Sequence, residues 1–127
     1  MPINVTAIPG LPDHVNDVRL RTAAFINAEI LPRESELFVR RRGAAVTPEQ
    51  QEHAKVLRAE IKEKVKAAGL WAPHLPGEYG GMGLDFLAHA YMNEILAYAM
   101  GAASLFGVVA PNSGNQKILL KYGTEQQ

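Results

Sequence analysis

Few residues in this chain could do chemistry, and their spacing limits what that chemistry is. Four histidines, His14, His53, His74 and His89, lie far apart, and no pair has the i,i+4 spacing that aims two imidazoles at one metal. Surface or loop histidine is the better reading. There is no cysteine, which removes disulfides, thiolate nucleophiles and Cys-based metal centres and fits a reducing compartment. Gly80-Gly81-Met82-Gly83 invites a phosphate-loop reading. A P-loop, however, needs Gly-Lys-Ser/Thr after the glycines, and a dinucleotide fingerprint needs a strand before them and a further glycine at the helix start. Both are absent, so the glycines read as a tight turn. Arg40-Arg41-Arg42 could bind phosphate groups, and a solvated turn explains it equally well.

The carboxylates nearest apolar surroundings are Glu78, Asp85 and Glu94. Asp85 is best explained as a helix cap. Glu94 lies beside an apolar stripe and could be buried, but nothing pairs it with a base or nucleophile. No catalytic constellation is visible. From Ala97 to Gly114 the chain is rich in small residues, among them Ala99, Gly101, Ala102, Ala103, Gly107 and Ala110. Small side chains permit close helix packing; the alternative is room for an apolar ligand along that wall.

The elements that must position these residues are helical. Residues 1–12 contain Pro2, Pro9 and Pro12 and read as an arm leading into a domain that spans 13–127. Asp13 can cap a first helix carrying the stripe Val15, Val18, Phe25, Ile26 and Ile30, which Pro32 ends. Glu34 to Arg40 could form another turn. Thr47-Pro48-Glu49-Gln50 is a capping box with proline at the first helical position. The stripe Ala54, Leu57, Ile61, Val65 and Ala68 follows it, with Glu60 and Lys64 as an i,i+4 pair. Gly69 closes that helix as a left-handed C′ residue, and Leu70 packs back on it. The connector Leu70–Leu84 joins it to a third helix, with Trp71 and Tyr79 as its expected anchors. That helix is capped by Asp85, carries the stripe Leu87, Tyr91, Ile95 and Tyr98, and runs to about Met100. A fourth starts at Ser104 and is stopped or bent by Pro111. A fifth runs from about Ser113 to Tyr122, with Gly123 as its C′ residue. No segment alternates with period two for long enough to be a strand. The expected fold is all-α, a bundle of about five helices.

Thr124-Glu125-Gln126-Gln127 is a second Thr-x-x-Gln capping box and opens a sixth helix. The sequence stops where that helix should begin, so the expectation is that these 127 residues are the front of a longer protein. Thirteen basic and thirteen acidic side chains balance, which gives no argument for nucleic acid or a membrane surface. The uncharged stretch Ile95 to Gln116 is broken by glycines, Pro111 and asparagines and is not expected to span a membrane. The N-terminus lacks a basic region followed by an apolar one, so no secretory signal is visible and a cytoplasmic location is expected.

Three motifs, in order, carry a resemblance. Glu29-Ile30-Leu31-Pro32, the connector Leu75-Pro76-Gly77-Glu78-Tyr79-Gly80-Gly81-Met82-Gly83-Leu84, and Tyr122-Gly123-Thr124-Glu125-Gln126-Gln127 resemble the N-terminal helical domain of the acyl-CoA dehydrogenase family. Ala110-Pro111-Asn112-Ser113-Gly114-Asn115 looks more like the subgroup that animals fuse to a kinase-like module. The resemblance implies an FAD-dependent parent enzyme that oxidises acyl-CoA thioesters to trans-2-enoyl-CoA, with an electron-transfer acceptor and a homo-oligomeric assembly. A middle β-domain and a C-terminal helical bundle would follow in the same chain. The glutamate base and most flavin contacts of the family lie in those later domains, so the resemblance implies no catalytic or tight FAD-binding residue here. The phosphates of coenzyme A are an example of what Arg40-Arg41-Arg42 could bind, and a solvated turn is the preferred reading of them. In relatives, the helix matching Ser104 to Gly114 lines the acyl-chain cavity. Phe106, Gly107, Ala110, Pro111 and Gly114 are therefore the implied pocket-wall residues, and Pro111 departs from the commoner pattern. An acyl-CoA oxidase or flavin monooxygenase of the same superfamily, and a stand-alone helical interaction module, are the competing readings.

Overall fold

Pro12 sets the first boundary. Its carbonyl accepts from the N–H groups of Val15 and Asn16 and opens α1 (Asp13–Phe25). Asp13 thus sits in the first turn, where a negative charge suits the helix dipole, and its side chain does not cap as expected. The computed structural model describes residues 1–39 and 45–127; the phosphate-binding reading of Arg40-Arg41-Arg42 lies outside them. After Phe25 the helical path widens into a π turn (Ile26–Ile30), tightens into a 3₁₀ turn (Leu31–Arg33) and resumes as α2 (Glu34–Leu37). Pro32 therefore does not end the helical path; it lies in the 3₁₀ turn, where a missing N–H costs little. Val15, Val18, Ala23, Ile26, Ile30 and Leu37 of this run are buried.

The arm is tied down by two asparagines. Ile3 donates its N–H to Asn27 Oδ1 (2.7 Å) while Asn27 Nδ2 donates to the Ile3 carbonyl (2.8 Å). Asn16 repeats the pattern with Ile8, at 2.8 and 3.0 Å. The buried Arg19 adds a bond to the Thr6 carbonyl (2.9 Å). A side-chain amide offers both N–H donors and a carbonyl acceptor, so it pairs with extended backbone as a neighbouring strand would. Ile3 and Val5 are thereby held against the core.

Helix α3 (Pro48–Ala67) follows its sequence signals closely. The Thr47 hydroxyl accepts from the Gln50 N–H and the Gln50 side chain accepts from the Thr47 N–H. Ala54, Leu57, Ile61 and Val65 are buried. Lys64 lies 3.2 Å from Glu60 and 2.8 Å from Glu29 of the π turn. At the far end Gly69 is left-handed (φ +68°). Its N–H reaches the Lys66 carbonyl and that of Leu70 reaches Val65, a Schellman closure that buries Leu70.

Helix α4 (Phe86–Leu96) is capped as expected, Asp85 Oδ1 accepting from the Ala88 N–H at 2.8 Å. Its buried face is rotated from the expected stripe. Ala88, Met92, Ile95, Leu96 and Ala99 are buried, whereas Leu87 and Tyr98 are 45% and 61% exposed. The helix is apolar around most of its circumference, so periodicity offered two faces. Packing against α1 selects the one that carries small Ala88. The helix also stops at Leu96, four residues before Met100, in turns that lead to left-handed Gly101.

The fourth helix is a single turn, α5 (Ala102–Leu105), and not a run from Ser104 to Pro111. Gly107 (φ +76°) stops it, and a Cβ there would meet the Trp71 ring at 3.1 Å. Pro111 consequently bends nothing: it directly precedes α6 (Asn112–Tyr122). Gly123 is extended (φ −74°) rather than left-handed; glycine suits it because a Cβ would stand 2.5 Å from the Leu119 carbonyl oxygen. Gln127 Oε1 accepts from the Thr124 N–H at 3.0 Å, one arm of the second capping box. The five expected helices thus correspond to α1, α3, α4, α5 and α6, and no strand occurs among the described residues. The all-α expectation holds. Helix α1 lies along α4, and α3 packs on α2 and α5 around Phe106, Ile61, Met92 and Leu105.

Candidate functional site

The connector between α3 and α4 spends its backbone donors on itself. The N–H groups of Gly80, Gly81, Met82, Gly83 and Leu84 go to the carbonyls of Gly77, Pro76, Ala72, Leu75 and Pro73, respectively. A phosphate cradle needs such groups free and pointing at the anion. This loop therefore does not fit the diphosphate of a flavin dinucleotide. Gly81 is required by crowding, since a Cβ would lie 2.2 Å from the Leu75 carbonyl oxygen. Leu70, Ala72 and Leu75 are buried, and Trp71 packs on the core with the Lys66 ammonium 5.2 Å from its ring centre. Tyr79, expected as a second anchor, is 59% exposed.

The five implied pocket-wall residues fall into three environments. Phe106 is fully buried and meets Phe25 edge-on, ring centres 5.6 Å apart. Gly107 lines a cleft of about 190 Å³ with Trp71, Ser104, Val109, Asn112, Gln116 and Lys62. Ala110, Pro111 and Gly114 are exposed, and the space beside Gly114 is open. Ala110 and Pro111 directly precede α6 and Gly114 lies in it; none of that helix's residues is buried, and Ile118, Leu119 and Tyr122 are presented to solvent. A larger cleft of about 520 Å³ runs between the connector and α6. Leu75, Tyr79, Leu119, Leu120 and Gln116 are among its lining residues, and its size is that of a small-molecule site.

The titratable groups hold structure together. Asp85 both caps α4 and lies 2.7 Å from His14 Nε2 on α1. The Ala88 N–H, and then His14, hold its carboxyl below the ordinary value. His53 meets Glu36 at 3.0 Å on the surface. Glu29 is lowered chiefly by its hydrogen bond to Lys64, with Arg33 assisting. Glu78 and Glu94 are exposed, so the burial considered for Glu94 does not occur. The fold does bring His74 and His89 together, rings stacked at 6.0 Å. Their sequence spacing gives no sign of this, because one lies in the connector and the other on α4. No cluster of three or more His, Asp or Glu side chains suited to a metal occurs among the described residues, nor is any of their helices long and apolar enough to cross a membrane.

Comparison with known proteins accords with the three motifs. Mouse acyl-CoA dehydrogenase family member 10 is 33% identical over 123 residues, covering 93% of this chain and 11% of the relative. Rat acyl-CoA dehydrogenase family member 11 is 32% identical over 111 residues, covering 87% and 14%. The probable acyl-CoA dehydrogenase FadE2 of Mycobacterium tuberculosis is 32% identical over 112 residues, covering 87% and 26%. The chain thus spans about a tenth to a quarter of the length of these relatives. No solved structure gives a significant match. The acyl-CoA dehydrogenase N-terminal domain family matches residues 13–127, the whole helical domain and its connector, and the chain belongs to that family.

Proposed function

We propose that this chain serves as the N-terminal domain of an FAD-dependent dehydrogenase that converts acyl-CoA thioesters to trans-2-enoyl-CoA. Family membership over residues 13–127 carries the reading. In the whole protein FAD supplies the hydride acceptor, and a glutamate from a later domain is the base for the α-proton. This domain contributes surface. Gly107, Ala110, Pro111 and Gly114 form an edge of the acyl-chain wall that the later domains complete, and Phe106 supports it from the core. The exposed apolar residues Ile118, Leu119 and Tyr122 on α6 favour a surface that other domains cover, over a closed stand-alone module.

The reading is tested on the whole protein, expressed with whatever coding sequence follows Gln127. A yellow flavin spectrum, bleached by an acyl-CoA under anaerobic conditions and restored by a dye acceptor, is the expected result. A protein of full length without flavin overturns the proposal. Acyl-CoA-dependent oxygen consumption without an added acceptor would instead identify an oxidase or monooxygenase of the superfamily.

A further inference from the structure

Two imidazoles meet beneath α6. The His74 and His89 rings stack with centres 6.0 Å apart and planes 24° from parallel. His74 Nε2 lies 2.8 Å from Gln116 Oε1 on α6, and an amide oxygen accepts, so the Nε2–H donates to it. His74 Nδ1 and His89 Nε2 are both buried and find no hydrogen-bond partner among the described residues. The two nitrogens therefore do not share a proton.

The cluster bears on α6 because little else holds that helix. None of its residues is buried. Its bond to His74 is, among the described residues, the one side-chain hydrogen bond joining α6 to the rest of the domain. We propose that His74 and His89 form an acid-sensitive latch, which holds α6 while His89 is neutral and releases it when His89 takes up a proton. A proton on His89 would sit in a partly buried site with no acceptor at Nε2. His74 from the connector and Lys117 from α6 are the charged or titratable groups acting on it, and no carboxylate is among them. Burial first, then these two neighbours, hold His89 below its ordinary value of 6.5. The latch requires that α6 shield this ring, so that water reaches His89 and its ordinary value returns once α6 lifts away. The open form thus binds the proton first: docking is at full strength above pH 6.5 and weakens as the pH falls below it. This inference does not depend on the acyl-CoA reading.

Amide hydrogen exchange on the full chain tests the latch, comparing protection factors at about pH 7.5 and about pH 5.5, a range in which histidine titrates. Protection across α6 is expected to fall by up to about tenfold per pH unit below 6.5, while α3 is unchanged. His89→Gln, neutral at both pH values, is expected to remove the difference. Equal α6 protection in the wild type at both pH values overturns the proposal, as does an α6 already unprotected at the higher one, or a pH effect undiminished in the variant. Should His89→Gln fail to fold, the wild-type His89 ring is followed by NMR; a titration midpoint at the ordinary value overturns the latch.

Discussion

Alanine placed at each of three neighbouring glycines distinguishes a packed connector from a ligand loop. At Gly81 a Cβ would stand 2.2 Å from the Leu75 carbonyl oxygen and 2.6 Å from the Leu75 Cβ. Both are parts of a buried residue, 7% exposed, so neither yields cheaply. The Gly83 N–H also bonds that same carbonyl. Making room means displacing Leu75, losing this bond at about 1 kcal/mol and straining the packing by about 1–3 kcal/mol. Gly81→Ala should therefore cost about 3 kcal/mol. Gly80→Ala has open space around it but a backbone at φ +79°, so its cost is the left-handed penalty of about 1–2 kcal/mol. Gly77→Ala meets nothing and needs no positive φ; the change should be neutral or stabilise by up to about 1 kcal/mol through the unfolded chain. Urea unfolding followed by circular dichroism gives all three values. A Gly81→Ala variant within about 0.5 kcal/mol of wild type would refute the argument that crowding, and not a bound anion, requires this glycine.

Three further outcomes follow from particular contacts. Thr47→Ala removes the hydroxyl that accepts from the Gln50 N–H and should cost about 1 kcal/mol, measured by the same unfolding curves. Asn27→Ala strips both polar partners from Ile3; it should cost about 1–2 kcal/mol and make the first residues of the arm cleavable by a protease that leaves the wild-type arm intact. Glu29 has its carboxyl lowered from 4.5 in the folded state by Lys64 and Arg33, so the stability it contributes is present above pH 4.5 and lost as acid protonates it. Glu29→Gln should accordingly flatten the acid limb of the stability–pH curve, read as a smaller drop in melting temperature between neutral and acidic pH.

Where a local signal and its partner lie within a few residues, the sequence was a sound guide. The Thr47 box, the Asp85 cap, the Gly69–Leu70 closure and the Glu60–Lys64 pair all form as their spacing predicts, because each is completed within one or two helical turns. The third helix was legible in kind but not in orientation. Its apolar residues run round most of the surface, and only the approach of α1 decides that Met92 and Leu96 go inside while Leu87 and Tyr98 stay out. The fourth helix is shorter than its pattern suggests because left-handed Gly107 follows it, where Trp71 from the connector fills the space a Cβ would need. The clamping of the arm by Asn16 and Asn27 was not legible, since a side-chain amide pairing with distant backbone leaves no period in the sequence.

The amino-acid sequence by itself determined the helical class, most helix starts and the family, because capping, periodicity and the three motifs are local patterns. Only the tertiary structure decided how the connector uses its donors, which face of α4 is buried, and that His74 and His89 meet beneath a helix held by little else. Those outcomes depend on which surfaces approach one another in space. A residue's neighbours along the chain do not encode that choice when more than one face, or more than one partner, would satisfy the same local rule.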